Sequence, residues 1–310
     1  MFTFDKQKLQ ENSKIGSGRV SEVFPYKKDE ADNRWVVKKI QVKDPLQFQQ
    51  QINGIISSAN HDHPSILPIR GYFIQEQGPE NWIIYVKMPK MMTDLKRLKE
   101  DYTNKKATLS KDQMIRYLYT AASALDYLEK KNIPHQNLKP TNILLDQEGK
   151  IYLSDIGIPR YVPEDKSKVT AETDLYTAPE VLVSEKHLKK SELFRADAWS
   201  LAAVLAELGV SKLKPITASL SNDAKTKLVK EIIADLKKNF GQTVPDLLSA
   251  LLNVDPAQRK SFGEVMKTLE TKYPNELVII FLFYILNEFK RLKRKLKLRL
   301  LTNKARLQEH

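Results

Sequence analysis

Residues able to do chemistry gather in two short stretches, His135-Gln136-Asn137-Leu138-Lys139-Pro140-Thr141-Asn142 and, thirteen residues after Asn142, Asp155-Ile156-Gly157. Asn142 and Asp155 offer hard oxygens of the kind Mg²⁺ prefers, with water and phosphates completing its octahedron. Asn137 offers less: an amide accepts a hydrogen bond but takes no proton near neutral pH, so it cannot act as a general base. Upstream, Gly16 and Gly18 punctuate KIGSGRVSEVFPY (residues 14–26), and Lys38 interrupts the apolar run Trp35-Val36-Val37-Lys38-Lys39-Ile40. Each feature has a plainer reading on its own. Asp-x-Gly and paired glycines are usually turns, and a strand lysine usually lies on a solvated face.

These residues need elements to position them. Residues 14–26 read as a strand, a glycine turn and a returning strand, and residues 35–40 as a strand on which Lys38 and Lys39 point to opposite faces. Trp82 to Val86 reads as another strand, followed by a linker. Met114, Leu118, Ala121, Leu125 and Leu128 recur every three or four residues, which predicts an amphipathic helix over 110–130 leading toward His135. Ile143-Leu144-Leu145 and Ile151-Tyr152-Leu153 flank a polar turn and predict a hairpin that ends at Asp155.

In this order the motifs resemble those of the protein kinase family. The segment from His135 is similar to the catalytic loop His-Arg-Asp-Leu-Lys-Pro-x-Asn, with Asn137 in the place of the catalytic aspartate and Gln136 in that of the arginine. Asp155-Ile156-Gly157 resembles Asp-Phe-Gly, its isoleucine still expected to pack into the lobe interface. The resemblance implies metal-ligand positions at Asn142 and Asp155 and catalytic-loop positions at Asn137 and Lys139. It also implies a nucleotide site at Ile15, Gly16, Gly18, Val23, Lys38 and Met91, with Met88 near the gatekeeper and Ser21 replacing the third glycine. ATP and Mg²⁺ are the implied cofactors.

Two departures bear on activity. The helix that should carry a glutamate for Lys38 falls on PLQFQQQINGIISSANH (residues 45–61), which contains no Asp or Glu, and counting back from His63 puts Gly54 at the expected position. A glycine inside a helix also costs roughly 1 kcal/mol relative to alanine. The activation segment runs from Asp155 to Ala178-Pro179-Glu180, with Thr173 and Tyr176 near its end, and Gln136 cannot clasp a phosphate there as arginine does. Lys139 and Thr173 fit the serine/threonine subtype. Asp197 resembles the residue that caps the catalytic loop, and Arg259 the arginine that pairs with Glu180.

The fold class expected is α+β, a bilobal kinase fold. A small antiparallel-sheet N-lobe with one helix and the hinge fills 10–91, a larger, mainly helical C-lobe fills 92–274, and a basic helical tail fills 275–310. The resemblance covers about residues 10–272. It implies a pseudokinase acting as a nucleotide-binding regulatory or scaffold protein, with a weakly active serine/threonine kinase and an empty-pocket scaffold as alternatives. A signalling protein or an active kinase is the implied partner.

Composition sets the remaining bounds. The 310-residue chain contains no cysteine, which excludes disulfides, thiolate metal sites and cysteine nucleophiles. That fact and a start without a signal pattern make a cytoplasmic protein the expectation. The formal charge of +13 comes without zinc-finger spacing or aromatic-basic interleaving, which argues against nucleic acid as a partner. Residues 277–286 are apolar but too few to span a bilayer, and residues 290–306 read as a basic amphipathic helix. Three readings of the tail stay open: a helix packed on the C-lobe, a peripheral anchor on an anionic membrane surface, and a helix for a calmodulin-like partner.

Overall fold

The structure is a computed structural model and describes residues 4–18, 20–27, 34–159, 175–184, 188–217, 219–278 and 280–282. Thr173 and the basic segment 290–306 lie outside the described residues.

The N-terminal lobe forms a five-stranded antiparallel sheet in the order β1-β2-β3-β5-β4. Its strands are β1 (Gly16–Ser17), β2 (Ser21–Pro25), β3 (Trp35–Val42), β4 (Gly71–Gly78) and β5 (Asn81–Pro89). Strand alternation divides β3 between two small cores. Val37 faces outward with Leu9, Phe24, Tyr26 and Tyr85, where Phe4 stacks on Tyr85 at 4.2 Å. Ile40 and Val42 face inward with Ile84 and Val86 against Ile55 of the helix α1 (Pro45–Ala59). Asp44 starts α1 by accepting from Gln47 N at 2.6 Å, and Pro45 occupies the first turn, where its missing N–H costs nothing.

The C-terminal lobe is mainly helical. The small sheet β6 (Thr93–Asp94), β7 (Ile143–Leu145) and β8 (Ile151–Leu153) lines the interface with the N-terminal lobe, and the expected hairpin holds residue for residue. The helices are α2 (Leu95–Thr103), α3 (Lys111–Lys130), α4 (Pro179–Val183), α5 (Lys190–Gly209), α6 (Asn222–Phe240), α7 (Thr243–Ser249) and α8 (Phe262–Lys272). Ser110 caps α3 in a reciprocal capping box with Gln113, and the five apolar positions read from the sequence are all buried. Helix α5 is buried nearly all round, as expected of a central helix that carries Trp199 in the core.

The two lobes are laced together by the segment that precedes β4. Leu67 N donates to Leu153 O at 2.9 Å, and Leu153 N donates to Ser65 O at 2.9 Å. This is the bilobal arrangement expected, with the catalytic-loop residues at the seam. At the C-terminal end, residues 274–278 and 280–282 are helical. Leu277 and Ile280 join the C-lobe core, and Phe281 meets Tyr119 edge-on at 5.8 Å. This first part of the tail therefore packs back on the C-lobe. Among the described residues, no helix is long and apolar enough to cross a membrane.

Candidate functional site

A cleft of about 1220 Å³ lies between the lobes. Ile15, Gly16, Gly18 and Val23 form its roof, Lys38 its back wall, Met91 its linker edge, and Asn137, Lys139, Asn142 and Asp155 its floor. All ten residues singled out in the sequence thus face one cavity, although Gly16 and Asp155 are far apart in the chain.

The roof is a tight turn. Gly18 N donates to Ser21 O at 2.7 Å and Ile15 N to Val23 O at 2.9 Å. Met88 packs with the inner core of the sheet, Pro89 ends β5, and Met92 N donates to Leu145 O at 2.8 Å, which ties the linker to the C-lobe hairpin. Arg97 Nη2 reaches from α2 to Ile15 O at 3.0 Å and links C-lobe to roof, a contact for which the sequence carries no signal.

The floor is built on Asp197. Its carboxylate accepts from His135 N at 2.6 Å and Gln136 N at 2.8 Å, holding Gln136 at φ 65. Asn142 Nδ2 then donates to Asn137 O at 2.8 Å, and Asn142 O accepts from Ser154 N at 3.0 Å, so the loop and the Asp155 turn are fastened to each other. Behind them Arg259, its side chain fully buried, donates to both oxygens of Glu180 at 2.6 and 2.9 Å and lies 5.0 Å from the centre of the Trp199 ring. The roles expected of Asp197 and Arg259 are those observed.

Lys38 has a partner that the sequence does not indicate. Its Nζ donates to Asp155 Oδ1 at 2.7 Å and Oδ2 at 2.6 Å. Burial alone would raise the Asp155 carboxyl, but the Lys38 ammonium, with smaller contributions from His135 and Lys139, holds it below the ordinary carboxylate range. Lys39 points the other way, 3.7 Å from Glu11. On α1, Gly54 lies where the glutamate was sought, and it is buried against Ile156 and Ile158. A Cβ there would stand 2.3 Å from Ile158 Cγ1 and 3.0 Å from Ile156 O. The sequence marks Gly54 only as a weak point of the helix, whereas the structure uses its missing side chain for close packing.

A protein kinase domain model matches residues 9–271. The chain belongs to the protein kinase family. Aurora kinase of Schizosaccharomyces pombe is 26% identical over 256 residues, covering 82% of this chain and 68% of that relative. Aurora kinase of Saccharomyces cerevisiae is 28% identical over 260 residues, covering 81% and 66%. Human serine/threonine-protein kinase Sgk2 is 30% identical over 269 residues, covering 83% and 67%. The chain spans about two thirds of the length of these curated relatives.

Kinases use ATP with Mg²⁺, and Asn142 and Asp155, the two residues expected to offer that metal oxygen, both line the cleft floor. Their oxygens are of the kind that fits it. Both oxygens of Asp155 accept from the Lys38 ammonium, and Asn142 uses its Nδ2 on Asn137 O. Mg²⁺ uses one or two carboxylates together with water and phosphate oxygens, so Asp155 and Asn142 would hold it once a phosphate drew Lys38 away.

Proposed function

We propose that this kinase-family protein is a pseudokinase, a nucleotide-binding regulatory protein in which phosphotransfer is lost or weak. The observation that carries this reading is the position of Asn137. It lies on the cleft floor beside Lys139 and Asn142, where a substrate hydroxyl would be held, and it presents a neutral amide where the chemistry calls for a carboxylate. Loss of a general base removes roughly 10²- to 10⁴-fold in rate. The missing anion on α1 acts in the same direction, because Lys38 is drawn to Asp155. The output is then conformational: nucleotide, or a signalling protein or active kinase bound at α1 or the activation segment, biases one arrangement of the two lobes.

A second reading, a weakly active serine/threonine kinase, is favoured by the presence of Lys38, Lys139 and Asn142 around one cleft. Phosphoryl transfer depends largely on positioning and charge neutralisation, which such a set can partly supply. A sensitive phosphotransfer assay of the parent and Asn137→Asp, alongside thermal unfolding with ~1 mM ATP, separates the readings. The pseudokinase reading expects a nucleotide-dependent rise in Tm and no transfer above background for either protein. Transfer by the parent at turnover typical of kinases, roughly 1–100 s⁻¹, would refute it. No rise in Tm would favour a scaffold with an empty pocket.

A further inference from the structure

We propose that the C-terminal segment from residue 277 onward is a peripheral anchor that lies on an anionic lipid surface. The inference is independent of the nucleotide reading, because the segment begins beyond residue 271, where the kinase match ends.

Three observations carry it. First, the helix over residues 274–278 and 280–282 has one side fastened and one side open. Leu277 and Ile280 join the C-lobe core, and Phe281 meets Tyr119 edge-on at 5.8 Å. Val278 and Leu282, one turn apart, are 47% and 54% exposed, and Phe281 is 38% exposed. Together they form an apolar patch that burial would stabilise. Second, the open side is in phase with the sequence that follows. Residues past 282 lie outside the described ones, but steps of three or four from Val278 and Leu282 reach Ile285, Phe289, Leu292 and Leu296, the spacing of one apolar helical stripe. Third, that sequence is cationic, with nine Lys or Arg against two Glu in residues 287–310. An apolar stripe bordered by cations is the composition of a helix lying in the plane of a membrane interface, its apolar side toward the acyl chains and its cations toward anionic headgroups.

Two features favour a lipid surface as the cover. The run from Leu277 to Leu286 is ten residues long without a charged side chain, broader than the stripe a protein groove takes and too short to span a bilayer. The helix is also already clamped along Leu277 and Ile280. A flat surface meets only its open side, whereas a groove that wraps a helix would have to displace the C-lobe. A second copy of this chain would set the same cations against one another. Apolar contact and charge each give only marginal attachment, and the two signals combined give a stable one.

The test is co-sedimentation of the full chain with vesicles of phosphatidylcholine and, separately, with vesicles containing about 30% phosphatidylserine, at ~0.1 M salt. The expected result is binding to the anionic vesicles at least about tenfold tighter than to the neutral ones, and a marked weakening at ~0.5 M salt. Val278→Glu combined with Leu282→Glu changes only exposed positions, so its thermal transition is expected to match the parent's while its affinity for anionic vesicles falls about tenfold or more. Arg291→Glu combined with Arg294→Glu is expected to bring a similar loss and to remove much of the salt dependence. Equal affinity for the two kinds of vesicle, sedimentation with neither, or undiminished binding by either variant overturns the inference. Capture of the chain by Ca²⁺-loaded calmodulin without vesicle binding overturns it in favour of a partner helix.

Discussion

Gly54 lies so close to Ile158 that any side chain at residue 54 must displace it: a Cβ would stand 2.3 Å from Ile158 Cγ1. Two opposing effects meet in Gly54→Ala. Alanine stabilises the isolated helix by roughly 1 kcal/mol, while overpacking a filled core costs about 1–3 kcal/mol. The clash prevails because Ile156 O, 3.0 Å away, is backbone and cannot rotate aside. Gly54→Ala is therefore expected to lower stability by about 1 kcal/mol in urea unfolding, and Gly54→Glu by more. Ile158→Ala, by opening space, should soften both losses, with a coupling of about 1 kcal/mol in the double-mutant cycle. Additive effects would show that the two residues do not press on each other.

The Arg259–Glu180 pair leads to a second expectation. Arg259 donates from Nη1 and Nη2 to Glu180 and from Nε to Asn253 O at 2.8 Å, with its side chain fully buried. Arg259→Met leaves Glu180 facing the core without its partner, and breaking such a pair from one side costs roughly 3–5 kcal/mol. Arg259→Lys keeps the charge but not the planar fork, so it should recover only part of that. Urea midpoints of the three proteins measure the loss, and a cost below about 1 kcal/mol for Arg259→Met would show that the pair contributes little.

A third expectation concerns pH. His63 Nδ1 accepts from Ser65 N at 3.1 Å and its Nε2 lies 3.3 Å from Ser123 Oγ. Burial first, then the charges of Lys150 and His61, with Asp126 opposing, lower its pKa to about 4. An unfolded histidine titrates near 6.5, so between about 6.5 and 4 the unfolded chain binds the proton more readily. Stability contributed by neutral His63 is thus complete above the unfolded value and is lost as pH falls toward 4, by at most roughly 3 kcal/mol at 1.36 kcal/mol per pH unit. His63→Gln retains an acceptor for Ser65 and should flatten the fall in Tm over that window. Parallel curves for parent and variant would place the acid sensitivity elsewhere.

Much of the fold was legible in the chain because it rests on local rules. The glycine turn, the β7–β8 hairpin and α3 follow from turn residues, alternation and helical periodicity, and the structure reproduces them within a residue or two. Helix α1 was legible only through its position relative to its neighbours. Its own pattern is broken by Gly54, whose cause lies more than a hundred residues away in Ile156 and Ile158.

The chemical identities of the cleft residues belong to the sequence alone: a neutral amide at Asn137, a helix α1 without an acid, oxygens at Asn142 and Asp155. These follow from covalent structure, and no folding can supply a carboxylate that the chain lacks. Which groups satisfy one another was decided only by the tertiary structure. A lysine without a helix glutamate must find an anion or water, and the choice of Asp155, at a sequence separation of 117, is set by how the two lobes close. Ion pairing depends on distance in space and on local burial, and neither is encoded in the spacing of residues along the chain.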